Sequence, residues 1–203
     1  MKRLTTKRLT VMLLAAALLL AACASLPPSG PGMRLKVAVI PLRNASNTPD
    51  AGTIATYLLI DELARSDIFE PVEPGQVREV LISEHTVAQE VGPEVLRVLR
   101  DRLGVDLVVM GVVDGLQDEK GLGPARSSLA VTLLATRGAS LVWAGEDQVS
   151  GERTGHVFGL GRLRTADQVA GQAAASLVRQ MEEVTIARKD LIIDEKASQA
   201  ARR

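Results

Sequence analysis

Hydrophobic positions along the chain fall into blocks of different period, and each period predicts an element. Leu35-Lys36-Val37-Ala38-Val39-Ile40 is β-branched and mostly apolar, the pattern of a well-buried strand. Pro41, with no amide proton to give to a ladder, helps to end it. From Thr53 to Arg65 the apolar set Ile54, Tyr57, Leu58, Ile60 and Leu63 predicts a helix with a broad buried face, leaving Asp61, Glu62 and Arg65 for solvent. Ile68-Phe69-Glu70-Pro71-Val72 reads as a short strand. Glu73-Pro74 then opens a second helix, since proline suits a first helical turn, with Val77, Val80 and Leu81 facing the core. A third helix is predicted from Pro93 to Leu103, where Val95, Leu96, Leu99 and Leu103 share one face and Gly104 is placed to stop it.

The stretch Asp106-Leu107-Val108-Val109-Met110-Gly111-Val112-Val113 is apolar almost throughout, as a central strand covered on both faces should be. Leu129-Ala130-Val131-Thr132-Leu133-Leu134 and Leu141-Val142-Trp143-Ala144-Gly145-Glu146 flank the turn signal Arg137-Gly138, which predicts a hairpin joined to the same sheet. After a glycine-rich stretch from Gly151 to Gly161, Val169, Ala173, Leu177, Met181 and Val184 recur at a spacing near four and mark a long C-terminal helix. Residues 187–203 turn polar apart from Leu191-Ile192-Ile193, as in a helical extension or a mobile tail. The order βαβααβββα predicts one α/β domain over residues 34–186, a mixed sheet flanked by helices.

What precedes that domain is of another kind. Lys2, Arg3, Lys7 and Arg8 make a basic opening, Leu9 to Leu19 an apolar run, and Leu20-Ala21-Ala22 lead into Cys23, which resembles the lipobox of bacterial lipoprotein signals. In that family the cysteine thiol takes a diacylglyceryl group and the chain is cut just before it, so residues 1–22 are the expected signal peptide. An uncleaved anchor is the competing reading, but the run from Leu9 to Ala22 falls short of the roughly 18 residues that span a bilayer. Cys23 is the one cysteine of the chain, so neither an intramolecular disulfide nor a cysteine metal cluster competes for its thiol. Each buried lipid methylene contributes about 0.8 kcal/mol, enough for several acyl chains to hold a protein on a membrane. Ala24 after the cysteine, rather than aspartate, points by resemblance to proteobacterial sorting toward the outer membrane. Residues 23–33 are rich in Pro, Gly and Ser and read as a tether. At about 3.1 Å per residue, the nine residues from Ala24 to Gly32 reach roughly 28 Å when extended, which keeps the domain close to the membrane.

Cleavage removes four basic side chains and leaves 20 against 24 acidic ones. A mildly acidic domain lacks the clustered basic surface that nucleic-acid binding needs, so no nucleic-acid partner is expected. The catalytic inventory is thin. His85 and His156, the two histidines, lie in different predicted contexts, and no HExxH pattern accompanies them. Gly159-Leu160-Gly161 and Gly121-Leu122-Gly123 each give part of a dinucleotide loop without the strand and helix around it, and neither a phosphate loop nor a GxSxG elbow occurs. Asp114, Asp118 and Glu119 offer carboxylates to a cation or to solvent. Arg43, Asn44, Ser46 and Asn47 lie beyond the carboxyl end of the first strand, where open α/β sheets often bind ligands and where any strand–helix connection is also polar. Four aromatic residues in all make stacking platforms and a membrane β-barrel poor fits.

Lys36-Val37-Ala38-Val39-Ile40-Pro41-Leu42-Arg43-Asn44, then Leu63-Ala64-Arg65-Ser66 and Phe69-Glu70-Pro71-Val72-Glu73, resemble the opening of the curli secretion (CsgG-type) lipoproteins. The TolB amino-terminal domain and lipoprotein activators of penicillin-binding proteins share that opening. Gly104-Val105-Asp106-Leu107-Val108-Val109-Met110-Gly111 and Ala139-Ser140-Leu141-Val142-Trp143-Ala144 resemble their later landmarks, so the likeness runs from about Arg34 to Met181. It implies a periplasm-facing domain that works without a cofactor, through an envelope protein partner or self-association. The connections Gln117 to Ser127 and Val149 to Thr165 are too short for the membrane hairpins of curli channels. The expected function is therefore that of a non-catalytic, lipid-anchored outer-membrane adapter or assembly component in envelope biogenesis or secretion. The alternative is a periplasmic binding module for a small ligand or peptide, with the loop after the first strand as its site.

Overall fold

The computed structural model describes residues 34–86, 91–120, 123–152 and 162–188. In chain order these form β1 (Leu35–Val39), β2 (Arg43–Asn44), α1 (Ala51–Arg65), β3 (Phe69–Pro71), α2 (Pro74–Ser83), α3 (Pro93–Leu103), β4 (Leu107–Gln117), β5 (Arg126–Ala135), β6 (Ser140–Ser150) and α4 (Ala166–Ala187). The sheet runs β3-β1-β4-β5-β6, with β2 beside β4. β1 pairs in parallel with β3 and β4, whereas β5 is antiparallel to both of its neighbours, β4 and β6. The predicted mixed α/β domain is what the chain forms, and the predicted central strand is indeed the middle one.

Period-two alternation sorts the apolar side chains between two cores. Leu35, Val37, Val39, Leu107, Val109, Leu129, Val131 and Leu133 point to the face covered by α1 and α4, where Leu59, Leu63, Val169, Ala173, Leu177 and Met181 meet them. Ala38, Ile40 and Val108 point the other way, under Val77, Val80 and Leu81 of α2 and Val95, Leu96 and Leu99 of α3. Each such buried Val, Leu, Ile or Met side chain contributes about 1.5–3 kcal/mol. α2 begins as predicted, with Pro74 in its first turn and a Glu73 carboxylate oxygen accepting from Gln76 N. α3 ends at Gly104, whose φ of 68° falls in the left-handed region that glycine occupies without strain.

Two expectations need correction. The buried residues of α1 are Ala51, Gly52, Ala55, Thr56, Leu59 and Leu63, so of the predicted face only Leu63 is fully buried. Ile54, Leu58 and Ile60 are partly covered, and Tyr57 is 60% exposed. The reason is the closeness of the packing: a Cβ on Gly52 would lie 2.4 Å from the Leu42 carbonyl oxygen, so this helix turns its smallest residues to the sheet. The polar stretch from Arg43 is also not loop throughout. Past the interruption at Pro41 the chain resumes pairing, and Arg43 and Asn44 stand beside Val112 and Val113 of β4 as β2.

Candidate interaction surface

α2 and α3 cover only part of their face of the sheet. Beyond Met110 and Leu134, which still touch that core, the face carries side chains from β4, β5 and β6 with no helix over them among the described residues. Register defines its rows: Met110, Thr132 and Ala144 stand side by side, as do Val112, Ala130 and Glu146, and Ser128 stands beside Gln148. Ala144, Glu146 and Gln148 are exposed. Small side chains make the face shallow. A depression of about 390 Å³ lies over Val112, Ala130, Thr132, Ala144 and Glu146. Toward the far end of the strands a larger groove of about 590 Å³ is lined by Gln117, Arg126, Ser128, Gln148, Ser150 and Glu152, among others.

This bare half of the sheet was not anticipated. The signal was present in the alternation of Ser128, Ala130 and Thr132 with Leu129, Val131 and Leu133, which is the pattern of a strand covered on one side. The residues proposed from sequence lie elsewhere. Asn44 Oδ1 accepts from Ser46 N at 3.0 Å and Ser46 Oγ at 2.7 Å, while Asn44 Nδ2 donates to Thr48 O at 2.9 Å. Thr48 Oγ1 donates to Leu116 O, so the turn is tied to β4 by its own polar atoms. Asn44 and Ser46 are thus brought together but spent on structure. Arg43 and Asn47 are exposed, and among the described residues neither side chain has a hydrogen bond or ion pair. Neither groove is lined by any of the four. Cys23 and the lipobox residues Leu20, Ala21 and Ala22 lie outside the described residues, as do His156 and residues 189–203.

Of the three acidic residues noted in the sequence, Asp114 stands exposed within β4, while Asp118 and Glu119 serve the fold. Asp118 Oδ1 accepts from Ala166 N at 2.7 Å, at the start of α4. Glu119 pairs with Arg162 at 2.8 Å and lies 3.8 Å from Arg164. Gly123 and Lys120 exchange backbone hydrogen bonds of 2.9 and 3.0 Å in the connection to β5. His85 follows α2 in a left-handed conformation with φ of 52°. Among the described residues no group of three or more His, Cys, Asp or Glu is gathered as a metal site, and no helix is long and apolar enough to cross a membrane. What the surface offers is a broad, shallow face of mixed polar and apolar side chains with backbone close beneath it, suited to contact over area.

No protein-family model and no curated protein matches the chain. Solved structures do. The PelC dodecamer from Paraburkholderia phytofirmans superposes with a TM-score of 0.52 at 18% identity, covering 74% of this chain and 90% of that one. The hypothetical protein CT253 from Chlamydia trachomatis gives 0.51 at 14% identity, over 76% and 99%. The similar structures also include a lipoprotein, GNA1162 from Neisseria meningitidis, at 0.48 and 16% identity over 73% and 99%. The likeness is one of fold.

Proposed function

We propose that this protein is a non-catalytic lipoprotein of the outer membrane, held through Cys23, whose periplasm-facing domain acts as an adapter or assembly component in envelope biogenesis or secretion. The observation that carries the reading is the bare half of the sheet across β4, β5 and β6, a surface for protein contact rather than a pocket for chemistry. Lipobox and tether support the location, since they would keep the domain within a few nanometres of the bilayer. PelC, of the same fold, is a dodecamer, which supports assembly with copies of itself as one form of the contact. The curli-type opening of the sequence supports an envelope role of this kind. Arg43 in β2 and Asn47 in the turn after it, exposed but apart from that face, make a second proposed point of contact.

The test is crosslinking in intact cells followed by capture and mass spectrometry, with Cys23→Ser beside the natural chain. Reproducible capture of an envelope protein, or of the chain's own oligomer, that disappears with Cys23→Ser is the expected result. Equal partition of both proteins between membrane and soluble fractions, with nothing captured, would remove both anchor and adapter. The 590 Å³ groove favours a second reading, a binding module for a small ligand or peptide, with Arg126, Gln148 and Glu152 as its polar groups. Asn44 and Ser46 are less suited to that task because their polar atoms already satisfy each other.

A further inference from the structure

The two edges of the sheet are built differently. β3 has three residues and ends in Pro71, which has no N–H to offer, so this edge is too short and too poor in donors to extend. β6 runs for 11 residues, Ser140–Ser150, without a proline or a lysine, and among the described residues is paired only on its β5 side. Because residues of an antiparallel strand alternate in direction, about five of them present N–H and C=O away from β5. Among the described residues, the hydrogen bond that reaches β6 from outside the sheet is Arg188 Nη1 donating to the Val142 carbonyl at 2.9 Å. Proteins usually blunt such an edge.

Side chains along this edge select what would pair with it. Leu141 is 57% exposed beside that arginine contact, and Ile186, two residues before Arg188, is 60% exposed. Glu146 and Asp147 follow, without a hydrogen bond or ion pair from either side chain among the described residues, and no basic residue of β6 balances them. Consecutive strand residues point to opposite faces, so the two carboxylates present negative charge on both sides of the edge. A second copy centred on this stretch would set acid against acid, and the opposite edge cannot take its place. We infer that β6 accepts an extended, basic segment of a partner protein as an added strand. Consecutive Lys or Arg side chains would lie opposite Glu146 and Asp147, and an apolar side chain near Leu141. Ala130 and Ala144 leave room on the bare face for the added strand's side chains.

This assignment deepens the adapter reading and rests on it. The test measures fluorescence anisotropy of the purified full chain with a labelled eleven-residue peptide of alternating threonine and valine around a central lysine pair. Two further peptides replace the lysines with glutamates or every second residue with proline. Binding of the lysine peptide at least about tenfold tighter than either control is expected, as is exchange of preference between lysine and glutamate peptides in the E146K/D147K double variant. Equal binding of the proline peptide would mean charge attraction without strand pairing and would overturn the assignment. So would an unchanged preference in the folded double variant, or sedimentation showing that β6 instead joins two copies. If the peptide fails while Cys23-dependent capture of an envelope protein persists, the edge assignment falls and the adapter reading stands.

Discussion

The hydroxyl of Thr56 accepts a hydrogen bond from the backbone N–H of Leu42 at 2.9 Å and itself donates to Gly52 O at 2.6 Å. One side chain thus satisfies the amide left unpaired where β1 breaks at Pro41, and fixes α1 against the chain that leads into β2. Replacing Thr56 with valine keeps the shape but orphans the Leu42 amide in a buried site, at a cost of about 1–3 kcal/mol. Thr56→Ser keeps the hydroxyl and should cost about 1 kcal/mol for the lost methyl. Urea unfolding of the three proteins measures this; a valine variant as stable as the natural chain would show that water serves Leu42 equally well.

Trp143 lies across Gly145 on the covered face of β6. A Cβ at Gly145 would fall 2.3 Å from Trp143 Cζ2 and 2.8 Å from Cη2, so the indole occupies the space that glycine leaves open. Gly145→Ala should swing the ring away and lower stability by about 1–3 kcal/mol, the usual cost of overpacking. Trp143 is the single tryptophan, so the ring reports on itself. Its emission should shift to the red in the folded variant, and an unmoved spectrum would contradict the contact.

Asp118 and Ala166 join the end of β4 to the first turn of α4 across 48 residues of sequence. Thr165 already caps this helix, accepting from Gln168 N at 3.3 Å while Gln168 reaches back, so Asp118 satisfies an additional amide. Asp118→Ala should cost about 0.5–2 kcal/mol, the range of a lost helix cap, and Asp118→Asn less because one oxygen acceptor remains. Denaturation midpoints decide it. Equal loss in both variants would assign the effect to charge alone.

Much of this architecture was legible because burial and periodicity agree. In α2 and α3 the buried set, Val77, Val80, Leu81, Val95, Leu96 and Leu99, is what apolar spacing predicts, save that Leu103 is only partly covered. α1 departed from its pattern because closeness of backbones, not size of side chains, decides which face docks: Gly52 and Thr56 meet the strand while Tyr57 faces water. The strands were read short for a related reason. β4, β5 and β6 extend to Gln117, Arg126 and Ser150, where only one face is covered and polar residues fill the other, so an apolar run underestimates them. The loop after β1 looked like a site because Asn44 and Ser46 are polar, but sequence does not say whether such groups face a ligand or each other.

Thr185 tests the opposite case, a polar group that no described residue answers. It lies in the last turn of α4 with no exposure, and among the described residues its Oγ1 has no hydrogen-bond partner. A buried hydroxyl without a partner costs about 1–3 kcal/mol, and valine has nearly the same shape without that penalty. Threonine and valine differ little in helix propensity, so the backbone does not mask the comparison. Thr185→Val should therefore stabilise the protein by about 1 kcal/mol, raising its urea midpoint with the slope unchanged. Loss of stability would mean that the hydroxyl does find an acceptor, and Thr185→Ser identifies which: it would then stay close to the natural protein while Thr185→Ala falls with valine. If valine stabilises, serine should instead fall below threonine, because it keeps the unanswered hydroxyl and loses the packed methyl.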